Sequence, residues 1–364
     1  FSGKEVLYMR RNPAGKLLQL ILGAIFLFAP ALCTAEKAAA WKGTMKWSYD
    51  AQNSVTGSPL AADGKILIGD SEGRLLALDQ KTGSLVWTFS AGSAINGKAA
   101  VKGQAVFAGT AGGKFFSLSI HSGQLLWQFS PPEKNTPGGV WGSPASGGDL
   151  VYFNSADGKV YAMDGAKGTL AWTFDTGREL RSSPAYSEGL LFVGTYEGIF
   201  HALNTKTGKR EWGGGSGGPI NTAASVSDGN VYFGSWDGTL QAVRIKGVIP
   251  QWKYSAGESI TTQAVPSGNR IFFGTVNGKV IALDKNSGGL LWEFAVPGGV
   301  HSAPAVHEGM VFFGSDGGTL FGLDAATGRE VWKFQSTREI VSDPLFFEGV
   351  LFFGSYDGKV YAFE

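Results

Sequence analysis

Cysteine is almost missing from this chain. One residue, Cys33, stands among 364, so no intrachain disulfide is possible and no thiolate cage can be built. Charge is also sparse, at 17% of residues where about 25% is usual. It is balanced as well, with 31 basic residues to 30 acidic; the first 35 residues hold four bases and one acid, which leaves 27 to 29 beyond them. A body so close to neutral lacks the basic footprint that nucleic-acid binding needs, and anionic membranes offer it no attraction. Four histidines (His121, His201, His301 and His307) show no metal-ligand spacing, so no zinc site is expected. No segment beyond residue 35 carries the 3.6-residue period of an amphipathic helix.

What is present is glycine, tryptophan and phenylalanine, at 55, 11 and 25 residues. Hydrophobic residues make up 43%, which excludes intrinsic disorder and is ample for a large core. The first 35 residues read as a leader. Met9-Arg10-Arg11 is basic, Leu17 to Leu32 is apolar apart from Gln19, and Thr34-Ala35 offers small residues before Glu36. Residues before Met9 read as an upstream extension. Cleavage is expected after Ala35, which gives a periplasmic or secreted product. Lipidation of Cys33 is the competing reading, and Leu32 and Pro30 stand against it, because that processing takes a small residue immediately before the cysteine.

Beyond the leader the chain repeats. Trp47, Trp87, Trp127, Trp172, Trp212, Trp252, Trp292 and Trp332 recur at 40 residues, with one interval of 45 that an insertion within Pro131–Gly139 explains. Each unit carries a tight-turn pair such as Glu72-Gly73, Asp157-Gly158 or Asn277-Gly278, flanked by short apolar runs. About 40 residues with four short strands make one propeller blade. In the unit after Leu180, the four strands are expected near Ser182–Ser187, Leu190–Thr195, Ile199–Asn204 and Lys209–Trp212. Eight turn signals imply an all-β, eight-bladed β-propeller of four-stranded antiparallel blades. Gly43–Trp47 reads as an orphan fourth strand, and the unit that ends at Glu364 lacks one. The first strand is therefore expected to complete the C-terminal blade. The resulting division is a leader over 1–35, a linker over 36–42 and the propeller over 43–364.

The string Ala77-Leu-Asp-Gln-Lys-Thr-Gly-Ser-Leu-Val-Trp87 resembles the tryptophan-docking motif of the PQQ-type repeat family. It recurs from Ala162, Ala282 and Gly322, and more weakly from Ser117, Ala202 and Ala242. WD40 repeats share the period, but the only Trp-Asp pair, Trp236-Asp237, lies in a turn. The resemblance implies one of two kinds of protein. Quinoprotein dehydrogenases bind PQQ and calcium on the propeller axis, whereas BamB-like propellers are non-catalytic scaffolds of outer-membrane protein assembly. The chain resembles the second more. It lacks the adjacent cysteines of the large alcohol-oxidising members and shows no clustered Asp, Glu and Asn outside its turns. The resemblance implies an envelope or outer-membrane protein partner, with no cofactor and no catalytic residue. A small PQQ-dependent dehydrogenase, or a ligand- or polysaccharide-sensing propeller, is the alternative. Membrane association is expected only through a partner or through Cys33.

Two candidate sites follow. The first is the face shared by the loops leading into each inner strand and the turns joining the two middle strands. Trp141, Arg181, Tyr196, Trp236 and Tyr356 fall there, and exposed aromatics with arginine are common anchors of protein recognition. The bland reading is that each ring folds onto its own blade. The second is the axial channel, with Lys98, Asn221, His301 and Asp343 as its polar lining. Small residues between the lining positions, from Gly57 to Ser342, are read as space-savers for blade packing. A hydrated channel that binds nothing is the plain reading. A small anion held by Arg181 and Lys98 over Trp141 is the sharper one. On the outer strands Lys46, Lys209 and Glu211 are read as charges that protect an open edge.

Overall fold

The computed structural model describes residues 41–132 and 139–364. The predicted leader with Cys33, and most of the Pro131–Gly139 insertion, lie outside the described residues. The described chain forms eight four-stranded antiparallel sheets, so the protein is an eight-bladed β-propeller. No described helix is long and apolar enough to cross a membrane.

Blade 4 shows the plan. Its strands A to D, from the axis outward, are Ala185–Ser187, Leu190–Gly194, Ile199–Asn204 and Arg210–Gly215. Strand A is shorter than expected and strand D runs three residues further out. The first three residues expected in strand A turn instead toward the neighbouring strand. The Ser182 hydroxyl accepts from the Gly194 N–H at 3.2 Å and donates to the Gly194 carbonyl at 2.9 Å. Thr262, Ser302 and Ser342 accept from the glycine N–H of their own blades in the same way, at 2.8 to 3.0 Å. These residues are therefore hydrogen-bonding ties as well as space-savers.

The repeated motif is a docking device. Each repeated tryptophan stands opposite a small residue of strand C, as in Trp87↔Ala77 and Trp332↔Gly322, which leaves room for the indole. The Asp79 carboxylate then shapes the C–D turn by accepting from the Lys81 and Thr82 N–H groups at 3.0 and 2.8 Å. Those bonds, led by the one from the Thr82 backbone, hold its pKa below the usual range. The indole N–H of the preceding blade's tryptophan donates to that turn: Trp47 to the Gln80 carbonyl at 3.2 Å, Trp292 to Ala325 at 3.1 Å. Glycine closes the seam. Gly83, Gly123, Gly168, Gly208, Gly288 and Gly328 have φ between 67° and 73°, and a Cβ at any of them would lie 2.5 to 2.7 Å from a docked indole. Eight apolar clusters result, each shared by two adjacent blades.

Closure follows the expected route. The strand Met45–Asp50 pairs antiparallel with Lys359–Phe363 and becomes strand D of blade 8. Trp41, in the stretch read as linker, packs edge-on against Phe312 and Trp332 at 5.0 and 5.1 Å and donates to the Phe363 carbonyl at 3.3 Å. On this outer strand Lys46 pairs with Glu364 at 2.8 Å. In blade 4, Glu211 accepts instead from Asn204 at 3.0 Å.

One seam departs from the plan. The C–D turn of blade 5 reads Arg244-Ile-Lys-Gly-Val248, with Val248 at φ 53° where the other turns have glycine. Among the described residues, Trp212 makes no indole hydrogen bond to that turn. On the other face of blade 4, toward Phe174 of blade 3, Gly213 stands across from His201, which is 5% exposed and has both ring nitrogens without a partner among the described residues. Burial, and then the Arg210 charge, lower the His201 pKa to about 4. In blades 3 and 8 the equivalent residues are Tyr161 and Tyr361, which donate to Asp157 and Asp357 at 2.6 Å.

His201 therefore makes stability depend on pH. Unfolded chains protonate this histidine below about pH 6.5, while the native state resists until about pH 4, so the unfolded state binds the proton first. Stability should fall as pH drops through that window, by at most about 3 kcal/mol from this group. Urea midpoints at pH 7 and pH 4.5 should differ less for His201→Phe than for the parent. Equal acid losses in both proteins would show that carboxylates alone set the acid limit.

Candidate functional site

The loops between strands D and A and the turns between B and C occupy one face. Backbone bonds tie them together: Tyr196 N–H to the Glu179 carbonyl, Trp236 to Pro219 and Tyr356 to Glu339, each at 2.9 Å. This pairing lifts the residue before each acidic-Gly turn to the rim. It also brings three of the five candidate recognition residues into contact. The Arg181 guanidinium lies 4.8 Å from the centre of the Tyr196 ring, and that ring meets Trp236 edge-on at 5.8 Å. The stack runs from blade 4 onto blade 5, across the seam where Trp212 lacks its usual bond. Trp236 remains 39% exposed and Trp141, at the start of blade 3, 46% exposed. Tyr356 belongs to blade 8, away from the stack. It is half-buried, and its phenol pKa is raised by burial and then by Glu339 and Asp316.

Glu179 is a member of the rim that the sequence reading left out. It accepts from Arg181 Nε at 2.9 Å, which raises the arginine's pKa and steers the guanidinium over Tyr196. Its only sequence signal was its place two residues before Arg181. His301 also sits on the rim, 3.4 Å from Asp316, and the Gly299 N–H donates to the same carboxylate oxygen at 3.2 Å.

The axis holds a cavity of about 790 Å³. Its lining runs from Thr261 and His301 near the rim to Ser187 and Phe346 at the A–B turns, and includes Lys98, Gln263 and Asp343. Arg181 and Trp141 do not line it. The anion clamp of Arg181 and Lys98 over Trp141 is therefore not assembled: arginine is engaged at the rim, lysine faces the axis. Asn221 is not part of the lining either. It is half-buried, and its side-chain oxygen has no partner among the described residues.

Around the axis, side chains of one blade cap the backbone of the preceding one. The Lys98 N–H donates to Ser143 Oγ and Ser143 N–H to Ser183 Oγ, at 2.9 and 2.8 Å. The Ala303 N–H donates to Asp343 Oδ1 at 2.7 Å, and Asp343 N–H to Ser58 Oγ at 2.9 Å. Burial pushes the Lys98 pKa down against the pull of Asp343. It pushes the Asp343 pKa up against its bond from Ala303 and the Lys98 charge.

The family model described as outer membrane protein assembly factor BamB matches residues 35–172, 156–264 and 250–364. Among curated proteins, none matches the sequence. Solved structures share the fold. BamB from Moraxella catarrhalis superposes with a TM-score of 0.78 at 18% identity, over 89% of this chain and 100% of that one. The computationally designed Ika8 protein gives 0.76 at 20% identity, over 88% and 99%. A europium-containing methanol dehydrogenase gives 0.73 at 13% identity, over 88% and 93%. At these identities the superpositions carry the fold and no more.

Proposed function

The chain belongs to the BamB family, and on that premise we propose that it is a non-catalytic scaffold of the bacterial cell envelope that binds a protein partner through its rim, possessing a role in outer-membrane protein assembly. The observation that carries this reading is the exposed stack of Arg181, Tyr196 and Trp236. Rigid aromatic rings held by a cation lose little entropy on binding and offer a large apolar surface beside a charge, the usual composition of a recognition hot spot. Trp141 extends the surface toward blade 3. The proposal places the protein in the periplasm, associated with the outer membrane through its partner.

The dehydrogenase likeness supports a shared fold, and the axial residues do not suit its cofactor. PQQ carries three carboxylates and works beside an oxygen-bound calcium ion. Among the described residues Lys98 is the only lysine or arginine in the axial lining, and Asp343 in the same lining opposes its charge. Among the described residues no three His, Cys, Asp or Glu side chains gather as metal ligands. The reading accordingly includes neither PQQ nor calcium.

The test is chemical cross-linking in an envelope fraction, comparing the parent chain with Trp236→Ala and Arg181→Glu. Truncating a hot-spot aromatic costs about 2 kcal/mol or more, so the adduct specific to the parent should weaken roughly 30-fold while thermal melting barely changes. Undiminished recovery of the same adduct from both variants would place recognition elsewhere. Stabilisation of the parent by PQQ with calcium would favour the dehydrogenase instead.

A further inference from the structure

Two opposite charges face the axial cavity without being joined to each other. Lys98 and Asp343 reach it from blades 2 and 8, on either side of blade 1. Asp343 is held in place by the Ala303 N–H on Oδ1 and by its own N–H on Ser58. Lys98 is held only by its backbone, through Ser143. Among the described residues its ammonium has no hydrogen-bond or ion-pair partner. Both side chains remain partly accessible from the cavity.

We propose that the axial cavity binds a small zwitterion, a free amino acid or short peptide, with its carboxylate on Lys98 and its ammonium on Asp343. A simple anion would meet repulsion from Asp343, and a simple cation from Lys98. A molecule carrying both charges satisfies both, and it restores the solvation that burial removes from each. The rest of the wall suits such a guest. Ser143, Ser183 and Gln263 supply neutral polar groups, and a volume of about 790 Å³ falls within the range of small-molecule sites. The proposal is separate from the rim: neither Arg181 nor Trp236 lines this cavity.

The experiment uses the intact chain and a ruler of ω-amino acids: glycine, β-alanine, γ-aminobutyrate, 6-aminohexanoate and triglycine. Calorimetry should find saturable binding for at least one, with its N-acetyl and amide derivatives bound at least tenfold more weakly. Lys98→Met and Asp343→Asn should each weaken that binding at least tenfold, while Trp236→Ala leaves it unchanged. Asparagine keeps an oxygen for the Ala303 N–H, so the ring contact survives; should Asp343→Asn still fail to fold, Lys98→Met decides alone. The proposal is overturned if no member of the series binds saturably. It is equally overturned if acetate or methylammonium binds as tightly as the zwitterion, or if Lys98→Met binds like the parent.

Discussion

Deleting residues 42–49 should abolish cooperative thermal unfolding of the propeller. The deletion removes the strand that pairs Trp47 with Ala362 and Tyr49 with Val360, and with it the Lys46–Glu364 ion pair. Trp47 is buried in the cluster joining blades 8 and 1, and its indole bond to Gln80 goes with it. Losing one buried tryptophan costs about 3–5 kcal/mol on its own. Native domains are stable by about 5–15 kcal/mol, so adding the lost ladder consumes most of that margin. The unpaired edge of Lys359–Phe363 would also invite association. Calorimetry and near-ultraviolet circular dichroism on both chains check this. A shortened chain that melts at the parent temperature would mean that ring closure does not depend on this strand.

Two tryptophans of one chain should behave oppositely. Trp292 is packed between blades 6 and 7, donates to the Ala325 carbonyl at 3.1 Å and lies against Gly328. Trp292→Ala should therefore cost about 3–5 kcal/mol, because it leaves a cavity and an unpaired carbonyl together. Trp236 sits at a turn tip, 39% exposed and in edge contact with Tyr196, so Trp236→Ala should cost far less, about 1 kcal/mol. Denaturant midpoints with unchanged slopes measure the contrast. Equal losses would make Trp236 part of the core and remove the rim as a recognition surface.

The rim was legible in part. The aromatic before each acidic-Gly pair marks Tyr196, Trp236 and Tyr356 in the sequence, and the order of strands places all three on one face. Their grouping was not legible, because it depends on which blades carry them. Tyr196 and Trp236 stand on neighbouring blades and touch, while Tyr356 does not join them. Nor could spacing show that Arg181 pairs with Glu179 and covers Tyr196, a choice made by local side-chain geometry. In the repeat Lys98 lies two residues nearer the inner strand than Arg181, and it lines the cavity while Arg181 is held at the rim by Glu179 and Tyr196.

By itself the sequence determined the blade count, the strand order and the route of closure. All three follow from a 40-residue period, turn residues that accept positive φ, and an orphan strand matched to an incomplete unit. Such signals are local and repeated, so each copy reinforces the others. Tertiary structure alone decided what happens between units. It made the hydroxyls of Ser182 and Ser342 into ties and let Asp343 cap Ala303 on the preceding blade. It left the Trp212 indole, among the described residues, without the hydrogen bond its counterparts make, and it put His201 against Phe174 in an apolar seam. These outcomes depend on residues about 12 to 40 positions apart meeting across strands and blades. A periodic pattern says which residue types recur, but only packing says which of them face one another.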